Sequence, residues 1–538
     1  MGIVSRCGVF LTAAVFAFSS LPAHASNPLQ VKTDKGKVEG KKSADDEIGD
    51  FLGIPYAAPP VGSLRWKPPQ PAAKWDGVRQ ATSFGSHCMQ PAIYDDMIFR
   101  DPGNSEDCLT LNVWTPTTDK KAKLPVMVWI YGGGYFAGGT SEARQDGEHL
   151  AAKGVVVVSM NYRLGIFGFF VHPELVAESP QHAAGNYGLM DQSAALQWVH
   201  NNIKAFGGDP KNVTIFGESA GSFSVSSQMA SLLSQGLFAH AIGESGAAFP
   251  GSALSFESVA LRGKRDVDFI QSVLGKSNLA ALRAVSGDEL LKASMAKNDG
   301  HTIRFSPDVD GYFLPESVQS IYAAGKQAHV PLLAGWNRDE ATGTVTNAPE
   351  KPSAATMQAL AQKDFPGQAD EFLKVYAASD DQGYFRAAAD YAGDHFLVYS
   401  TWAWLDAHGK TGGSPVYRYR LDLPSPGDKY HPVSAGAFHS DDIEYVFGNL
   451  DSRQGAKWRP EDRKLSELIQ TYWTNFARTG DPNSTGLPNW PVYEAASQWL
   501  VMHLDATPQV RRDEHRDRYL FLQQAWGKKR EQAVGNSH

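Results

Sequence analysis

The segment "NVTIFGESAGSFS", residues 212–224, sets an apolar run directly before Gly217-Glu218-Ser219-Ala220-Gly221. A serine between two glycines at this spacing is the pattern of a nucleophile held on a sharp strand-to-helix turn. Gly217 and Gly221 permit the turn and let strand and helix pack closely, while the hydroxyl of Ser219 projects out of the sheet. The N-terminus of a following helix then offers partial positive charge to a developing oxyanion. The competing reading is a serine in a plain glycine-rich bend, and the surroundings decide between them.

A second, independent feature is "VWIYGGGYFAGG", which puts Gly132, Gly133 and Gly134 immediately after an apolar run. Acyl transfer needs backbone N–H groups that converge on the carbonyl oxygen, and glycine brings that backbone close without a Cβ in the way. A flexible Gly-rich loop or a phosphate cradle is the alternative; for the cradle, no Lys-Ser/Thr follows and the spacing is not that of a dinucleotide loop. An HGGG-type oxyanion loop fits better, with Tyr131 where the His would stand.

Serine needs a general base, and the base needs a third group to orient it. Behind a serine elbow on an open α/β sheet the chain order is Ser, acid, His. Among 16 histidines, His408 and His431 lie in Gly/Pro-rich segments, His503 and His515 near the C-terminus, and His395 in an expected helix. His439, in "GAFHSDDIEYVFGN", follows a strand and precedes an aromatic-rich segment, which makes it the preferred base over a plain surface histidine. Asp339 and Glu340 both lie just past "VPLLAGWN", at a strand end where catalytic groups of open sheets collect. Position alone does not choose between them.

The elements that must hold these groups are legible as continuous apolar runs bounded by Pro or Gly. Residues 124–130, 154–160, 212–216, 239–245, 330–337 and 415–423 read as strands, several of them buried on both faces of a parallel sheet. "LMDQSAALQWVHNNIKAF" between the second and third has helical spacing and ends at Gly207-Gly208, completing a βαβ unit. Residues 251–325 and 345–412 look mainly helical and are expected to be insertions over the strand ends. No linker or repeat divides the chain, and the polar residues 527–538 are expected to fray.

At 538 residues, with 42% hydrophobic and 20% charged content, the chain has ample material for a large core. A net charge of −8 argues against nucleic acid or an anionic membrane as partner. The N-terminus carries Arg6, an apolar run from Val9 to Phe18, and Ala23-His24-Ala25. That order reads as a secretory signal over 1–25, cleaved before Ser26, and the run is too short for a membrane anchor. The mature chain, 26–538, is thus expected to be exported, periplasmic or secreted. It keeps Cys88 and Cys108, which in an oxidising compartment read as one disulfide, with a pair of buried thiols as the alternative.

Taken together, "FLGIPYAAPPVGSLRWKPP", "SEDCLTLNVW", "NYRLGIFGFF", "GNYGLMDQSAALQWVHNNIKAFGGDPKNVTIFGESAG", "WNRDEAT" and "FHSDDIEYVFGN" resemble, in order and over nearly the whole mature chain, the type-B carboxylesterase family. That family includes cholinesterases and bacterial para-nitrobenzyl esterases. The resemblance implies an α/β-hydrolase fold, a mostly parallel twisted sheet flanked by helices, with helical insertions covering the site. It implies Ser219 as nucleophile, Glu340 as acid, His439 as base, and the N–H groups of Gly133, Gly134 and Ala220 as the oxyanion hole. Ser245 would support the acid, Arg65 would pair with Glu106 and Arg163 with Asp191, and Cys88 with Cys108 would match the family's first disulfide. The activity implied is hydrolysis of a small-molecule carboxylic ester, without cofactor or metal. Rival readings are a specialised hydrolase for a toxin, lactone, aromatic ester or amide, or a non-catalytic binding protein on the same fold.

Two departures stand out. The family usually has Gly after the triad Glu, where this chain has Ala341. The Cys88–Cys108 loop has no Trp, so the aromatic platform for a quaternary ammonium is missing from it and a choline ester is disfavoured. Phe136 and Phe223, beside the oxyanion loop and the serine, are candidates for an apolar acyl pocket.

Overall fold

The computed structural model describes residues 1–2, 29–44, 47–251, 254, 256–297 and 302–535. The expected signal segment therefore lies, apart from its first two residues, outside the described residues. Among those described, one large sheet carries eleven strands. In chain order they are β1 (Lys41–Lys42), β2 (Gly49–Pro55), β3 (Thr110–Thr115), β4 (Leu124–Ile130), β5 (Val156–Met160) and β6 (Gly208–Glu218). Then follow β7 (His240–Glu244), β8 (Leu332–Asn337), β9 (Val416–Leu421), β10 (Leu500–Leu504) and β11 (Gln509–Arg512).

Across the sheet the order is β11-β10-β9-β8-β7-β6-β4-β5-β3-β2-β1. From β10 to β5 every neighbouring pair is parallel, and the remaining pairs at both edges are antiparallel. Every residue of β5, β7 and β8 is buried. A strand covered on both faces has no polar face to alternate with, which is why these segments read as unbroken apolar runs. This is an α/β-hydrolase fold, as expected.

Two helices frame the serine turn: α1 (Tyr187–Asn202) and α2 (Ala220–Ala230). Each residue of α2 is buried although four are serines. Their hydroxyls are satisfied locally: Ser226 and Ser227 donate to the Phe223 carbonyl at 2.9 and 2.8 Å, Ser224 to the Tyr135 hydroxyl at 3.2 Å, and Ser222 to the Gly246 carbonyl. Buried hydroxyls bonded in this way cost little.

The segment 251–325 is led by α3 (Val259–Leu274) and shorter helices, with one two-residue parallel pair, Glu257–Ser258 against Asp308–Val309. The segment 345–412 contains α4 (Ala354–Asp364), α5 (Asp381–Gly393) and α6 (Tyr399–Thr411), and a π-helical turn over Asp394–Val398 joins the last two. At the C-terminus α7 (Arg516–Gly535) keeps a helical backbone through most of the stretch expected to fray.

The expected ion pairs form. Arg65 grips Glu106 with Nε and Nη2 at 2.7 and 2.6 Å, and buried Arg163 grips Asp191 at 2.8 and 2.7 Å. Cys88 and Cys108 form a disulfide. No helix among the described residues is long and apolar enough to cross a membrane.

Candidate active site

Three adjacent parallel strands end side by side, and each delivers one polar group to the same spot. The register pairs Glu218 of β6 with Glu244 of β7, and Glu244 with Gly335 of β8. The ladder continues one step further through Ser219 N–H to the Glu244 carbonyl at 2.8 Å and Ser245 N–H to the Gly335 carbonyl at 2.9 Å. Ser219 and Ser245 therefore leave neighbouring strands at the same level.

Ser219 sits at φ 54°, ψ −124°, a region that side chains other than glycine rarely occupy and that costs about 1–3 kcal/mol. The neighbours enforce it. A Cβ on Gly221 would fall 1.9 Å from the Ile130 carbonyl oxygen, and one on Gly217 2.5 Å from the same atom. Only glycine at both positions lets β4, β6 and α2 approach this closely.

His439 Nε2 lies 2.9 Å from Ser219 Oγ, and its Nδ1 lies 2.7 Å from Glu340 Oε2. The other carboxylate oxygen of Glu340 accepts from the Ser245 hydroxyl and from the Asn337 N–H at 2.8 Å. With its second oxygen held twice, Glu340 presents the first to the imidazole in one orientation. Asp339 turns the other way: Oδ1 pairs with Arg386 at 2.5 Å and Oδ2 accepts from the Ala437 N–H at 3.1 Å. Of the two adjacent acids after β8, only Glu340 meets the imidazole.

The other histidines are placed elsewhere. His408 Nε2 bonds the Val330 carbonyl at 2.8 Å, and His503 forms a buried pair with Asp422 at 2.6 Å. His431 stacks on Phe438 at 4.1 Å and borders the cavity without reaching Ser219. His395 lies in the π-helical turn, and burial lowers the imidazole of His515 to about 3.

Beside the serine the glycine loop keeps backbone N–H groups open. Among the described residues, no acceptor takes the N–H groups of Gly133, Gly134 or Ala220. Gly133 and Gly134 have φ 102° and 65°, conformations that favour glycine. A Cβ on Gly132 would meet the Glu218 carbonyl at 2.7 Å and Ser219 Cβ at 3.0 Å. Tyr131, which stands where an HGGG-type loop has its His, is fully buried and stacks on Tyr162 at 4.5 Å, and Tyr162 donates back to the Tyr131 carbonyl at 2.8 Å. That mutual brace fixes the base of the loop.

One neighbour was not singled out from the sequence. Glu218 is buried, and its Oε1 lies 3.3 Å from His439 Nε2 with no hydrogen-bond donor of its own. Burial pushes its carboxyl up to about 8, with Asp442 and Glu340 adding to the effect against the pull of His439. Burial would lower the imidazole of His439, but Glu218 and Glu340 outweigh it and carry it up to about 9. The signal for Glu218 was in the motif itself, as the residue between Gly217 and Ser219.

Ser219 opens onto a cavity of about 280 Å³ whose apolar walls are Met97, Leu254, Phe396, Leu397 and Ile443, with Tyr94 and Arg304 also lining it. A larger, more apolar cavity of about 600 Å³ lies behind Glu340 and shares Phe396 with the first. It does not include Ser219. Of the aromatics expected at the pocket, Phe136 lies beneath the cavity-lining Arg304. Phe223 is fully buried with its ring against Gly246, and neither it nor Phe136 lines the cavity at Ser219. The walls come from distant segments that converge only in the fold.

A hydroxyl, an imidazole and a carboxylate in line, with unoccupied N–H groups beside the hydroxyl, can carry out base-assisted acyl transfer. Comparison with known proteins agrees in kind. Residues 27–522 match the model of the Carboxylesterase family. The para-nitrobenzyl esterase of Bacillus subtilis (strain 168) is 38% identical over 500 residues, covering 89% of this chain and 95% of that protein. The fumonisin B1 esterase of Sphingopyxis macrogoltabida is 36% identical over 520 residues, covering 93% and 92%. A solved PNB esterase structure superposes with TM-score 0.76 at 35% identity, covering 91% of this chain and 98% of that one.

Proposed function

This chain belongs to the carboxylesterase family and is a carboxylic ester hydrolase, and we propose that it works through Ser219, His439 and Glu340 with a covalent acyl-enzyme. The observation that carries the reading is the pair of hydrogen-bond distances running Ser219–His439–Glu340, 2.9 and 2.7 Å. His439 Nε2 takes the proton as Ser219 Oγ attacks the ester carbonyl. The N–H groups of Gly133, Gly134 and Ala220 receive the oxyanion. The alcohol leaves with the proton from Nε2, and water, deprotonated by the same nitrogen, then releases the acid. Glu340, held by Ser245 and Asn337, keeps Nδ1 protonated and the ring in place. We further read 26–538 as one catalytic unit exported after cleavage before Ser26; the Cys88–Cys108 bridge supports an oxidising compartment.

The test is Ser219→Ala assayed on 4-nitrophenyl butyrate. The expected outcome is a fall in kcat of at least about 10⁴-fold with an unchanged circular dichroism spectrum. Retention of more than about a tenth of the activity overturns the assignment.

A further inference from the structure

One charge at the cavity takes no part in the ester chemistry derived above. Arg304 is exposed and lines the same cavity as Ser219. Its guanidinium lies over the Phe136 ring at 5.3 Å. A Cβ placed on Gly134 would be 3.8 Å from Arg304 Nη1 and 3.8 Å from the Tyr94 hydroxyl. Both groups therefore overlook the glycine that borders the scissile carbonyl's expected seat.

Among the described residues, no carboxylate or other hydrogen-bond acceptor holds the Arg304 guanidinium. The second arginine of this cavity, Arg144, is already engaged, with Glu142 at 2.9 Å and Asp96 at 3.4 Å. Of the acids in the cavity wall, Asp96 is thus occupied by Arg144. Glu218 faces His439, with its Oε1 3.3 Å from Nε2. Arg304 is left as the uncompensated cation. Its planar fork suits a carboxylate, and the aromatic face beneath restricts its motion before any ligand arrives. The Tyr94 hydroxyl, held in its protonated form chiefly by burial, is a second donor.

We propose that Arg304 and Tyr94 form an anion-binding subsite that selects esters carrying a carboxylate close to the scissile carbonyl. The subsite rests on the catalytic reading of Ser219 and names the substrate class for it. A neutral ester offers the guanidinium only weaker, uncharged acceptors, and a cationic one is repelled.

The experiment compares kcat/KM for matched ester pairs on the purified protein and its Arg304→Ala and Arg304→Lys variants. On the acyl side the pair is mono-4-nitrophenyl adipate and 4-nitrophenyl hexanoate; on the alcohol side it is 4-acetoxybenzoate and 4-methylphenyl acetate. The readout is the ratio of anionic to neutral kcat/KM within each pair, so a general weakening of the enzyme cancels. We expect Arg304→Ala to lower this ratio about tenfold in one of the pairs, which also says on which side the carboxylate sits, and Arg304→Lys to retain part of it. The wild-type ratio should also fall with added salt, because the guanidinium is exposed. A ratio unchanged within about twofold in both pairs overturns the subsite, as does an equal loss on both members. Survival of neutral-ester hydrolysis in Ser219→Ala would instead overturn the catalytic reading, so the two failures are distinguishable.

Discussion

His439 Nε2 stands 3.3 Å from Oε1 of Glu218, a buried oxygen that receives no hydrogen bond. The same nitrogen faces Ser219 Oγ at 2.9 Å, so the atom that accepts the serine proton in the proposed mechanism sits between that hydroxyl and a carboxyl. An ionised Glu218 stabilises the imidazolium and raises the imidazole toward the value of about 9. The base is active only when neutral, and activity must therefore grow as pH rises through an apparent value above that of ordinary histidine. The two groups titrate as a pair, and the pH profile reports the pair. Glu218→Gln removes the charge that favours the imidazolium and should move the acid limb of kcat/KM to lower pH. An unmoved limb in a pH series from about 5 to 9 would show that Glu218 does not set the protonation of His439.

Glu340 and Asp339 are chemically alike and adjacent, but only Glu340 meets the imidazole. Glu340→Gln should cost about 10³-fold or more in kcat, because the amide favours the wrong tautomer of His439. Asp339→Asn disturbs the partly exposed pair with Arg386 and should cost less than about tenfold. Steady-state kinetics of the two variants side by side checks this, and a larger loss in Asp339→Asn would reverse the assignment.

Gly132 offers a steric probe of the oxyanion loop. A methyl there meets backbone of Glu218 and Cβ of Ser219 at 2.7 and 3.0 Å, so the loop must retreat from the serine. Gly132→Ala should lower kcat/KM by at least about 10²-fold, the scale of one lost or misplaced oxyanion donor. The melting temperature, measured alongside, should change by a few degrees at most, since the loop is braced separately by Tyr131 and Tyr162.

What the sequence made legible follows the range of the interactions involved. The Ser219 turn and the Gly132–Gly134 loop are local devices, written in consecutive residues, and the buried parallel strands announce themselves as apolar runs. Glu340 and His439 are paired across 99 positions of chain, so the residues' own pattern could not separate Glu340 from Asp339 and only the family motifs did. The antiparallel strands toward the two edges, such as β2 and β11, have no unbroken apolar run: β11 is half-exposed to exposed throughout. Phe136 and Phe223 are candidate pocket walls from sequence because they stand beside the oxyanion loop and beside Ser219, respectively. In the fold Phe223 points into the packing around Gly246, while Met97, Leu254 and Phe396 form the wall from segments that no local pattern links.

The central claim is that Ser219 forms a covalent bond to the acyl group. It is tested most directly by treating the protein with a fluorophosphonate and mapping the adduct by peptide mass spectrometry. One adduct per chain on the peptide containing Ser219, formed in step with loss of esterase activity and absent in His439→Ala on the same timescale, is the predicted result. Loss of activity with the adduct on another residue, or with no adduct at all, would contradict it.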